Sequence, residues 1–160
     1  MAKRGKPEPC PEFGFYAYAD QFYDAFYKLG ADHLHPSVSW PRYFLLCHAI
    51  ELALKAYLAK VGMMPKRLRS KRYGHNLTRL VTDAIKKGLS LTPETQARIR
   101  DLAKAHSKFW HRYPRDDGKF EDVYVIEQFI NAAHELMNAV CKEVYGVSRD
   151  KLERSGPLPG

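Results

Sequence analysis

In this 160-residue chain Arg42 stands six positions before His48, and Arg100 six before His106. Both residue types suit phosphodiester chemistry. An imidazole with a pKa near neutrality can move protons at a ribose 2′ oxygen or at the leaving group, and a guanidinium can offset charge growing on the phosphate. Such a reaction needs no metal. Six helical steps set the two side chains roughly 120° apart, so a long arginine, a bend or a second copy of the chain has to close the gap.

Each pair also has a bland reading. His48 lies in "RYFLLCHAIELALKAYLAKVG", where it shares one helical stripe with Glu51 and Lys55 while Arg42 falls elsewhere on the wheel. That stripe can face water, a partner subunit or a phosphate. His106 falls with Ile99, Leu102, Ala103 and Trp110 on the core-facing side of its segment, where a buried histidine with one satisfied hydrogen bond is the simplest expectation.

A second chemistry is electrostatic. Lys66, Arg67, Arg69, Lys71 and Arg72 lie together with no acidic residue among them, and Tyr73 and His75 adjoin. Such a patch can neutralise several phosphates, giving affinity that falls steeply with salt and carries little sequence preference. It can equally be surface charge gathered on a loop. In "FWHRYPRDDG", Phe109, Trp110 and Tyr113 can stack on bases while His111, Arg112 and Arg115 meet phosphate. The structural alternative packs Trp110 and Tyr113 at a bundle end and pairs Arg112 with Asp116 or Asp117.

Other chemistries find little support. His33 and His35 share an extended face but lack a third ligand, so no metal is expected, and no other cofactor either. There is no phosphate loop, dinucleotide glycine pattern or serine elbow. Cys10, Cys47 and Cys141 are odd in number and far apart, which argues against a disulfide framework, and the latter two should pack as small hydrophobes. The net charge of +8 favours a polyanionic partner. No apolar run is long enough to span a membrane, and the opening "MAKRGKPEPCPEFGF" lacks a leader's apolar core, so a cytoplasmic location is expected.

The elements that must position these groups read as helices, because apolar residues recur at three- and four-residue steps and nothing alternates with period two. The first helix, over 14–31, places Phe15, Tyr18, Ala19, Phe22, Phe26 and Leu29 on one stripe. The second starts near Pro41 and ends at Gly62; the third runs from an Asn76 cap over Leu77, Leu80, Val81, Ala84 and Ile85 to Gly88. Thr92 and Pro93 open a fourth. The fifth, over 121–145, carries Val123, Ile126, Phe129, Ile130, Ala133, Met137, Val140 and Val144 on one face. The pattern predicts an all-α, up-and-down bundle of four to five antiparallel helices over 14–145, with loose tails at 1–13 and 146–160.

Three patches in order, "HAIELALKAYL" from His48, "GHNLTRL" from Gly74 and "RYP" from Arg112, resemble the HEPN domain, the higher eukaryotes and prokaryotes nucleotide-binding domain. The resemblance implies an all-helical bundle that often forms homodimers and sits in toxin–antitoxin, phage-defence or RNA-processing systems. It also implies an antitoxin protein as a partner in the toxin setting. Many members are metal-independent ribonucleases marked by an arginine, four to six residues and a histidine; others only bind. Two expectations follow: an endoribonuclease built on Arg42 and His48 or Arg100 and His106, or a non-catalytic dimeric module that holds nucleotide or nucleic acid through Lys66, Arg67, Arg69, Lys71, Arg72, Arg112 and Tyr113.

Overall fold

A helix that is apolar almost all round has no face to give to solvent, and α2 (Trp40–Lys60) accordingly runs through the middle of the molecule, buried from 53 to 59. The computed structural model describes residues 10–31, 40–106 and 127–153. Around α2 pack α1 (Pro11–Ala31), the short α3 (Pro65–Leu68), α4 (Leu77–Lys86), α5 (Pro93–His106) and α6 (Glu127–Tyr145), with α7 (Arg149–Glu153) against the end of α6. The largest interface is α1 on α2. Five long helices form the all-α, up-and-down bundle, and no strand occurs among the described residues.

Local chemistry sets the helix ends. Gly62 adopts φ +93° and Met63 N–H closes back on the Leu58 carbonyl at 2.8 Å, the left-handed stop that only glycine enters without strain. Asn76 caps α4 by accepting from the Arg79 N–H at 3.0 Å. Thr92 caps α5 through the Thr95 N–H, and Glu135 of α6 accepts from the Thr92 N–H and from both threonine hydroxyls. The start of α5 is thereby fastened to α6.

Buried tyrosines fix how the helices meet. Tyr16 donates to the Met137 carbonyl, Tyr43 to that of Leu102 and Tyr57 to that of Lys87, each at 3.0 Å. A buried hydroxyl needs such an acceptor, so each bond allows one relative position of its two segments. This corrects the face expected for α1. The buried stripe is Tyr16, Ala19, Tyr23 and Phe26, while Tyr18 is 59% exposed and Phe15 and Phe22 are half-buried. Cys47 and Cys141 are buried among apolar neighbours, and Cys10 is exposed.

The tail expected from 146 carries structure at its start. Arg149 of α7 is buried, donates to Asp20 and Asp24 of α1, and lies over the Tyr23 ring at 5.0 Å. Arg149→Ala should therefore lower stability by about 1–2 kcal/mol, since the aspartates are partly exposed. Urea unfolding checks the loss, and hydrogen exchange should show it concentrated in α7 and the facing turns of α1.

Candidate functional site

The stripe His48, Glu51 and Lys55 faces protein rather than bulk water. Glu51 is only 2% exposed and Lys55 is buried with it. Lys55 Nζ donates to Glu51 Oε1 at 2.6 Å and to the Gly74 carbonyl at 2.7 Å, so one ammonium joins the middle of α2 to the turn that precedes α4. That turn brings His75, whose Nδ1 lies 3.1 Å from Glu51 Oε2. His48 Nδ1 stands 3.8 Å from the same oxygen, its ring edge-on to Phe22 and stacked on Phe44.

The last turn of α5 completes the group. His106 is buried, as its apolar stripe predicts, and offers a ring nitrogen to a cluster with Glu51 and His75 in which all three ligand atoms lie within 4.8 Å of one another. The Tyr43 bond to the Leu102 carbonyl holds that end of α5 against α2. Burial alone would raise the Glu51 pKa, but the nearby His48 ring, hydrogen bonds from Lys55 and His75, and the Lys55 charge outweigh it and hold the carboxyl at about 2. The site is thus built round an ionised carboxylate.

Beside it lies a cleft of about 510 Å³ lined by Arg69, Ser70, Lys71, His75, Thr78 and Ala103, among others. All five basic residues, Lys66, Arg67, Arg69, Lys71 and Arg72, are exposed. Their backbone is organised rather than loose. The turn α3 begins it, Ser70 Oγ donates to the Arg67 carbonyl at 2.6 Å, and Gly74 N–H returns to the Ser70 carbonyl at 2.7 Å. Tyr73 is buried, donates to Asp83 Oδ2 at 2.7 Å and lies beneath the guanidiniums of Arg67 and Arg79.

Neither arginine and histidine pair comes together as a pair. Arg42 turns toward α1, where its Nε donates to the Phe26 carbonyl and its guanidinium covers the Phe26 ring at 4.3 Å. Gly30 makes room for it, since a Cβ there would stand 2.6 Å from Arg42 Nη2. Burial lowers the Arg42 pKa. His48 belongs instead to the Glu51 stripe. Arg100 is half-buried on α5 while His106 joins Glu51 and His75. Arg112 and Tyr113, with the rest of "FWHRYPRDDG", and His33 and His35 lie outside the described residues.

His75 is the functional candidate to which the sequence reading gave no catalytic role, although Arg69, which lines the same cleft, stands six positions before it. Its signal was its place in "GHNLTRL", between a glycine that allows a tight turn and the asparagine that caps α4. A family model described as the HEPN domain matches residues 43–144, more than half of the chain, and spans the α2 stripe, the His75 turn and most of α6. The chain belongs to the HEPN domain family. Searches of curated proteins and of solved structures gave no match. In this HEPN domain no described helix is long and apolar enough to cross a membrane.

Two consequences are measurable. Removing the ammonium in Lys55→Met leaves Glu51 buried beside histidines alone and should cost on the order of 3 kcal/mol in chemical unfolding. Because the folded pKa of Glu51 is depressed, its contribution is present above the ordinary value of 4.5 and is lost as pH falls toward about 2. Thermal melts from neutral pH down through that window should show Glu51→Gln less stable than wild type at neutral pH, with the difference shrinking toward the acid end.

Proposed function

We propose that this HEPN domain binds RNA, seating the phosphate backbone in the cleft between the basic segment and His75. The observation that carries the reading is the cleft lined by Arg69, Lys71 and His75 in a chain of net charge +8. Single-stranded RNA suits it, because binding through phosphate demands charge and reach rather than a base-reading groove. A homodimer is what the family resemblance implies. An antitoxin partner in a toxin or defence system rests on that resemblance alone.

Fluorescence anisotropy with a labelled single-stranded RNA tests the binding. Affinity should fall linearly on a log–log plot against salt, and Arg69→Ala with Lys71→Ala should reduce the slope by about 0.7 per lost phosphate contact. A salt-independent signal, or one untouched by these substitutions, would end the RNA reading.

One contact favours cleavage as a second reading. Glu51 Oε2 at 3.1 Å from His75 Nδ1 fixes the ring and favours the tautomer whose basic nitrogen is Nε2, as a carboxylate does for a general base. His75 then takes the proton of a 2′ hydroxyl, the 2′ oxygen attacks the adjacent phosphorus, and the bond to the 5′ oxygen of the next nucleotide breaks as that oxygen takes a proton from water, giving a 2′,3′-cyclic phosphate and a 5′ hydroxyl. With excess chelator present, His75→Ala should abolish RNA cutting while Arg42→Ala leaves it within a few-fold. Uncut RNA with wild-type protein would leave binding as the function.

A further inference from the structure

We propose that Glu51, His75 and His106 bind one divalent transition-metal ion, with zinc the best match to the donors. The inference goes beyond the RNA reading and stands on its own geometry. Three ligand atoms within 4.8 Å of one another share a point no more than about 2.8 Å from each, so shifts under 1 Å bring all three to the 2.0–2.2 Å of zinc bonds. Glu51 Oε2 and His75 Nδ1, at 3.1 Å, already stand close to the separation of neighbouring ligands at a tetrahedral ion, about 3.3 Å. Two imidazoles and one carboxylate make a donor set that leaves the fourth position to water or a ligand.

The surroundings match what a metal ligand needs. Glu51 is ionised across the working pH range, so no proton has to leave it. Its second oxygen is held by Lys55, the kind of outer contact that orients a ligating carboxylate. His75 is half-exposed and lines the cleft, which gives an ion a way in, while Glu51 and His106 form the buried side. His48 is clamped by Phe22 and Phe44 and stays outside the set. Lys55 also brings a positive charge near the ion, which weakens binding and favours a soft, imidazole-seeking metal over calcium or magnesium. Metal ligation and proton transfer are alternative uses of the His75 ring.

Chelator-stripped full-length protein, without RNA, is titrated with zinc by calorimetry and with cobalt(II) by visible absorption. We expect one ion per chain and cobalt bands of four-coordinate intensity. His75→Ala, at a half-exposed position whose loss leaves the circular dichroism unchanged, should weaken zinc by at least about tenfold, as should His106→Ala. His134→Ala should change nothing, although His134 and Asp150 form another histidine and carboxylate pair at 3.3 Å. Absence of saturable binding, or binding that survives His75→Ala or follows His134, overturns the site. RNA affinity measured separately in chelator tests the other reading, so failure of one leaves the other standing.

Discussion

A carboxylate with almost no exposure sits in the middle of the most buried helix, and the rest of the fold answers it. Glu51 left alone there would cost several kcal/mol or give up its charge. Lys55, one turn further along, neutralises it, but an ammonium has three protons to place and α2 supplies one carboxylate. The Gly74 carbonyl accepts another. Satisfying a buried pair therefore dictates where the chain must return after α3, and from that turn follow the position of His75, the cap of α4 and the direction of the basic segment.

The tyrosine hydroxyls apply the same logic at the ends of the bundle. A phenylalanine at Tyr16, Tyr43 or Tyr57 would bury similar area yet tolerate sliding between helices. A hydroxyl that must reach one carbonyl does not. Dispersion and burial hold the helices together, and these directional contacts choose among the ways they could pack. Precise placement matters most at α5, because the turn that Tyr43 anchors ends in His106.

Much of the fold was legible in sequence because helix signals are local. Period-3.6 apolar spacing, Asn76, Gly62, Gly88 and the Thr92 and Pro93 start are all read within a few residues. Two features escaped for the opposite reason. The short α7 depends on Arg149 meeting Asp20 and Asp24 from the far end of the chain, and the buried stripe of α1 depends on the Met137 carbonyl that accepts from Tyr16. The site divided the same way. The stripe His48, Glu51 and Lys55 was visible on a helical wheel, but not that it faces inward. His75 is 24 residues from Glu51, and nothing in spacing alone joins them or adds His106.

The two hydrogen bonds of Lys55 also give α2 a polarity that its helical wheel hides. A Lys-then-Glu order at 51 and 55 would conserve charge, volume and the four-residue spacing. It would nevertheless set a carboxylate against the Gly74 carbonyl, acceptor facing acceptor, and an ammonium against His75. The pair cannot be inverted, so among relatives that keep this turn the acidic residue must come first.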